Sequence, residues 1–312
     1  MKEKELLKMG AESLRKAALN EDAKAYILNN KPLYNVVKKA ASRYIGGETV
    51  PEVLKSIAIW NHKKISVTTD FMGENIRNEK ESNAATKEFI NLINAIKIQE
   101  LNSSVSLDLT HIGLLVSKDL AINNLKLISE QAATIGQEVI LSMEGIDRTD
   151  KILEVYKEVL KTHENLGITL QAYLHRTKDD FKDVLQLPGS IRMVKGAYQT
   201  PKGIALDRGV ALDTIYLDYV SQLLAKNKKC AIASHHTKIF EESTKLVDLY
   251  GATDYVLERL LGIGNEGLLE YHHKGYNCRI YIVYGKEWYL YLCNRFAEYP
   301  MSVFQGIEDM LP

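Results

Sequence analysis

The chain has 312 residues, a hydrophobic fraction of 46%, and Lys+Arg equal to Asp+Glu at 40 each, so its formal net charge is zero. The length suits one barrel with a small extension, and the apolar fraction is ordinary for a globular protein with a sizeable core. Balanced charge argues against non-specific nucleic-acid binding, which needs a basic surface, and leaves a local patch open.

The N-terminal MKEKELLKMGAESLRKAALN is charged throughout and lacks an apolar h-region, so it is not expected to act as a signal peptide. Cys230, Cys278 and Cys293 form no Cys-x-x-Cys, which fits a reduced compartment. No apolar stretch approaches the ~18 residues of a spanning helix. The expectation is a soluble cytoplasmic protein, with peripheral contact to the inner membrane left open.

Residues 1–60 read as a helical extension. Leu6, Leu7, Leu14, Ala17 and Ala18 recur at roughly helical spacing, and Tyr34, Val36, Val37, Ala40 and Ala41 do so again after the break at Asn29-Asn30-Lys31-Pro32. Thr49 and Pro51 mark the start of a further helix.

From residue 61 the pattern changes. Eight short apolar runs follow: ISVTTD (65–70), VSLDLT (105–110), VILSME (139–144), ITLQAY (168–173), IRMVKGAY (191–198), CAIASHH (230–236), DYVLERL (254–260) and RIYIVYG (279–285). Helical stretches stand between and after them, at Asn83–Ile98, Lys118–Ile135, Thr149–His163, Asp179–Leu185, Leu212–Ala225, Lys238–Tyr250, Gly267–His273 and Lys286–Glu298. Strand-then-helix repeated eight times predicts an α/β fold, a (β/α)8 barrel over 61–312 with the extension packed against it. The runs are read as lacking clean alternation, as in a parallel barrel buried on both faces. Chemistry in such barrels sits at the carboxyl ends of the strands, so polar residues there are the candidates.

Arg192 and Lys195 sit in or near a strand otherwise made of Ile, Met and Val, and each needs an anion or polar ligand there. Gly196 allows close backbone approach. The reading preferred over structural ion pairs is a ligand site. Of the adjacent His235 and His236 after Ser234, strand alternation allows only one to face inward. No metal-ligand constellation stands out, and His272-His273 reads as surface. Gly262-Ile263-Gly264-Asn265-Glu266-Gly267 matches G-x-G-x-x-G, but the next strand ends without an acidic residue, so it reads as a barrel loop. Tyr291, Arg295 and Glu298 share one helix face, and Arg295 has the two-pronged geometry for a carboxylate, or else pairs with Glu298. Lys195 as a Schiff-base lysine of a lyase or aldolase is a competing reading.

RMVKGAY, RIYIVYGKEWYLYLCNRFAE and VTTDFMGE, with weaker support from LQAYLHR and the SHH strand end, resemble the proline dehydrogenase family from about Ser42 to Glu298 in collinear order. The resemblance implies a distorted (β/α)8 barrel carrying FAD at its strand ends. It implies hydride transfer from a small amino-acid substrate to flavin N5, and reoxidation by a quinone or other electron acceptor. Arg192, Lys195, Gly196, Ala197, Gln171, Ser234, His235, His236 and Glu258 fall on the flavin side. Tyr198, Tyr281 and Tyr291 match the substrate walls, and Arg295 matches one of two arginines on the proline carboxylate. Glu74 matches an acidic residue that pairs with those cations, while Asp70 and Glu144 match other rim positions.

The sequence also departs from the family pattern. Asp108 stands where the family has a lysine, Ser142 replaces an aspartate, Val256-Leu257-Glu258 replaces Glu-Phe-Gln, and Asn294-Arg295 replaces Arg-Arg. Each lost charge-assisted hydrogen bond weakens carboxylate binding by roughly 1.5–3 kcal/mol. The departures imply a retained flavin platform and an altered substrate side, with Asp108 set to meet a substrate ammonium or another cation. Oxidation of a changed, non-proline amine therefore stands beside oxidation of proline.

Overall fold

The computed structural model describes residues 3–311. Four helices open the chain: α1 (Glu3–Ala18), α2 (Glu21–Asn29), α3 (Lys31–Ser42) and α4 (Val50–His62). The sequence reading missed the break after α1. Asn20 makes it, accepting the Ala23 N–H on its side-chain oxygen at 2.9 Å as an N-cap. Asn30 caps α3 in the same way, and at the start of α4 the Thr49 N–H donates to Glu52 at 3.1 Å.

Eight parallel strands then close in sequence order: β1 (Ser66–Phe71), β2 (Ser103–Leu107), β3 (Val139–Leu141), β4 (Leu166–Gln171), β5 (Ser190–Val194), β6 (Cys230–Ala233), β7 (Tyr255–Leu260) and β8 (Cys278–Tyr284). The intervening helices are α5 (Glu79–Ile98), α6 (Lys118–Ala133), α7 (Thr149–Leu160), α8 (Thr177–Leu185), α9 (Val210–Ala225), α10 (Thr237–Tyr250), α11 (Asn265–His273) and α12 (Trp288–Glu298). A final helix, α13 (Ser302–Met310), was not expected from the sequence. It packs on α3, and the paired Arg43 and Asp309 hold it there with two 2.6 Å hydrogen bonds. Helix α1 lies along α12, where the Tyr289 hydroxyl donates to the Ala17 carbonyl at 3.2 Å. Glu48 ties the two ends further, accepting from Trp288 Nε1 at 2.6 Å and Lys38 Nζ at 2.8 Å.

The strands are buried on both faces, as expected, but they alternate in polarity, which corrects the reading that they lack clean alternation. Val67, Leu107, Leu141, Leu170, Met193, Ile232, Leu257, Ile280 and Ile282 belong to the apolar core shared with the helices. Their neighbours in sequence meet partners on strands that are not adjacent, which is possible only through the barrel lumen. Thr68 on β1 donates to Glu258 on β7 at 3.2 Å, Arg279 on β8 reaches Glu138 just before β3 at 3.1 Å, and Arg192 on β5 donates to Ser106 on β2 at 3.1 Å. The lumen is thus filled by charged and hydroxyl side chains, and the apolar core lies between barrel and helices. Buried charges are tolerable there because each is paired.

Candidate active site

Every site residue proposed from the sequence except Glu144 lines one cavity of ≈ 2160 Å³ at the carboxyl ends of the strands. Glu144, matched to the rim, does not line it. Its carboxylate turns back to accept the Thr110 N–H at 3.0 Å and hydroxyl at 2.7 Å, and it pairs with Arg148 at 2.9 Å.

The floor comes from β1, β5, β7 and β8. Arg192 is 5% exposed, forms an ion pair with Glu258 at 3.1 Å, and lies 4.7 Å from the ring of Tyr281. Tyr281 donates its hydroxyl to Asp70. Burial drives the Asp70 carboxyl up to about 7, against the pull of Tyr281 and Arg192. Gln171 ends β4, and its side-chain nitrogen donates to the carbonyls of Met143 and Glu144 at 3.1 and 2.9 Å. Its oxygen is buried with no hydrogen-bond partner among the described residues.

Beyond β5 and β6, Lys195 pairs with Asp213 on α9 and approaches His236 Nδ1 at 3.0 Å. His236 Nδ1 is in turn 3.2 Å from Asp213. Both histidines line the cavity, contrary to the one-inward expectation. Strand β6 stops at Ala233, so strand alternation no longer governs residues 235 and 236. Loss of hydration and the nearby cations Arg295, Arg259 and Arg208 push the His235 pKa down to about 3, so its ring is neutral. The Ser234 hydroxyl accepts the His236 N–H at 3.1 Å. Gly196 has φ +109, and a Cβ there would lie 2.2 Å from the Tyr173 ring, so the glycine serves a close contact within the chain. Tyr173 in turn donates its hydroxyl to the Tyr198 carbonyl at 3.1 Å.

The wall opposite is acidic. Asp108 follows β2, and its carboxyl lies well above the usual range because of burial and the charges of Glu144, Asp70 and Glu74. Burial and Glu144 also raise Glu74. No described cation lies within 4.0 Å of the Asp108 or Glu74 carboxylates. The pairing of Glu74 with the α12 cation is not found: Arg295 NH2 holds Glu298 at 2.7 Å, and its guanidinium lies 5.0 Å from the Tyr291 ring. Glu298, three residues on, is simply nearer along the helix than a loop carboxylate. Arg295 Nε is buried without a hydrogen-bond partner among the described residues, and Asn294 lines the cavity beside it. Burial raises Tyr291 to about 12.

Sequence reasoning missed several lining residues. Arg208 donates to the Gly196 carbonyl at 2.9 Å, Arg259 lies 4.8 Å from the ring of Phe240, and Glu12, Arg15 and Lys16 of α1 reach the mouth. Asp213 was missed as well, since only tertiary packing brings it to Lys195. Among the described residues no group of three or more His, Cys, Asp or Glu could hold a metal, and no helix is long and apolar enough to cross a membrane.

The family model described as proline dehydrogenase matches residues 53–299. Proline dehydrogenase 2 of Bacillus subtilis is 33% identical over 273 residues, covering 87% of this chain and 90% of that one. Proline dehydrogenase 1 of the same organism is 30% identical over 292 residues, covering 90% and 97%. Among solved structures, proline utilization A from Bdellovibrio bacteriovorus inactivated by N-propargylglycine superposes with TM-score 0.78 at 20% identity, covering 97% of this chain. The chain spans 39% of the length of that larger protein. The chain belongs to the proline dehydrogenase family, FAD-dependent oxidoreductases built on a (β/α)8 barrel.

Proposed function

We propose that the chain oxidises proline or a proline-like amino acid to the imine. The observation that carries this reading is the single cavity into which Gln171, Arg192 and Lys195 converge from one side and Tyr281, Tyr291 and Arg295 from the other. The residues fit FAD. The buried, unpartnered oxygen of Gln171 suits a ring N–H, and Arg192 and Lys195 suit an electron-rich ring and a phosphate. Gln171, Arg192, Lys195, Ser234, His235 and His236 would hold it, and when bound it supplies a two-electron acceptor that takes the substrate hydride at N5.

The chain's own residues bind and orient. Arg295 has an unpaired Nε for the substrate carboxylate, and Tyr281, Tyr291 and Tyr198 wall the ring and exclude water. The hydride leaves the carbon next to a neutral amine, so the ammonium proton must first go to water or to a carboxylate of the acidic wall. A quinone or another acceptor then reoxidises the cofactor. Residues 1–60 are read as an extension of the barrel, supported by α1 on α12 and α13 on α3.

A second reading is favoured by one observation: Asp108 and Glu74 face the cavity with no cation in contact among the described residues, while Asn294 brings no charge. A substrate with a second cationic centre in place of the carboxylate suits that wall. The test is the visible spectrum of the purified protein, followed anaerobically on adding proline, pyrrolidine and 2-(aminomethyl)pyrrolidine. Bleaching by proline supports the first reading and bleaching by the diamine alone the second. A colourless protein that takes up no FAD refutes both.

A further inference from the structure

We propose that Glu258 acts through Arg192 to lower the electron affinity of the bound flavin. The inference rests on the FAD reading of the cavity.

The lumen holds a line of charges that alternate in sign. Lys229, half exposed at the base, meets Glu138 at 3.2 Å; Glu138 meets Arg279 at 3.1 Å; Arg279 meets Glu258 at 2.6 Å; and Glu258 meets Arg192 at 3.1 Å. Glu138, Arg279, Glu258 and Arg192 are each over nine-tenths buried. Only the upper end, Arg192 with Glu258, opens on the large cavity. Three cations and two anions leave one net positive charge on the line, with a cation at each end: Lys229 at the base and Arg192 at the cavity floor.

Glu258 matters because of its sharing. One carboxylate is held by two guanidinium groups and by the Thr68 hydroxyl at 3.2 Å, so it is fixed between two cations. Its charge offsets that of Arg192 at contact distance, in a dehydrated lumen where charges are weakly screened. A neutral side chain at 258 would leave Arg192 unopposed and Arg279 half-opposed. The cavity floor would become more positive, and a flavin above it would accept electrons more readily. Glu258 is thus a positioning residue: it fixes the guanidinium and moderates its field.

The test uses the holoenzyme. For Glu258→Gln the flavin midpoint potential, measured against a reference dye, should rise by about 30 mV, a tenfold change in the equilibrium constant of a two-electron couple. Sulfite, which bleaches electron-poor flavins, should bind about tenfold more tightly. Glu258→Asp keeps the charge and should stay within twofold of the parent in sulfite affinity. Equal shifts in the two variants would show that geometry rather than charge is at work, and no shift in Glu258→Gln would also overturn the proposal. If Glu258→Gln fails to fold or to retain flavin, Arg279→Gln carries the test with opposite sign. Removing the cation that shares Glu258 should weaken sulfite binding about tenfold, and unchanged or tighter binding sinks the idea. Parent protein that takes up no flavin would instead refute the cofactor reading itself.

Discussion

Replacing Asp108 with asparagine removes a carboxyl from the acidic wall while keeping its size and much of its hydrogen-bonding shape. In the folded protein that carboxyl is hard to ionise, because burial and the charges of Glu144, Asp70 and Glu74 all oppose it. A ligand cation in contact reverses the balance. It restores the ionised form and makes a charge-assisted hydrogen bond worth about 1.5–3 kcal/mol. Under the second substrate reading, Asp108→Asn should therefore weaken the diamine probe by roughly 10- to 150-fold, 1.4 kcal/mol being one factor of ten. Proline has no cation for this position, and its affinity should hold or improve. Asp108→Lys should tighten proline by a similar factor, since it adds a donor for the carboxylate. The assay is an anaerobic titration of flavin absorbance with each compound on parent and variants. If Asp108→Asn leaves every amine's affinity and turnover unchanged, Asp108 meets no substrate cation and that reading is wrong.

Asp70 gives a pH-dependent stability. Its folded pKa of about 7 lies above the ordinary 3.8, so between those values the native state keeps a proton that the unfolded chain has released. Stability should fall as pH rises from about 4 to 7, and Asp70→Asn should flatten that slope in melting temperatures taken across the range; an unaltered slope would contradict the assignment. Gly196→Ala places a methyl against the Tyr173 ring at a positive φ, and should cost about 1–3 kcal/mol with loss of the Tyr173–Tyr198 contact, read by denaturant unfolding. Lys195→Met strips Asp213 of its lysine, and should lower flavin retention through gel filtration while the far-ultraviolet circular dichroism stays unchanged. Full retention would remove Lys195 from the cofactor site.

The barrel was legible because its outer layer is written in local patterns. Runs such as IRMV and RIYIV gave the strands, and 3.6-residue spacing gave the helices, with ends within a few residues of those observed for most elements. Even the lumen was readable, since in Val105-Ser106-Leu107-Asp108 and Ile168-Thr169-Leu170-Gln171 every second residue is polar. The runs were read as lacking clean alternation because both faces of a barrel strand are buried, so polarity there does not mark exposure. Rim residues were found because strand ends are marked in sequence. Their partners were not, as Lys195–Asp213 and Arg279–Glu138 join elements that only the closed topology brings together. Helix α13 and the break at Asn20 were missed for a different reason, being short elements whose caps are single residues.

The strands around the barrel gather the acids unpaired among the described residues on one side of the cavity, while the arginines opposite are partly offset by Glu258 and Glu298. Strands β1 and β2 and the loop after β1 supply Asp70, Asp108 and Glu74, whereas β5, β7 and α12 supply Arg192, Arg259 and Arg295. Under the proposed function, a zwitterion in this cavity would turn its carboxylate toward α12 and its ammonium toward the acids. Ionised carboxylates there would hold the ammonium and so oppose the neutral amine on which hydride loss depends. Burial and mutual repulsion relieve the conflict by raising the pKa of Asp70 and Asp108, so that each accepts a proton more readily than an ordinary carboxylate. The acidic wall can therefore both attract a cationic amine and take up its proton, and this requires the carboxylates to be crowded and buried together rather than paired with cations of the protein.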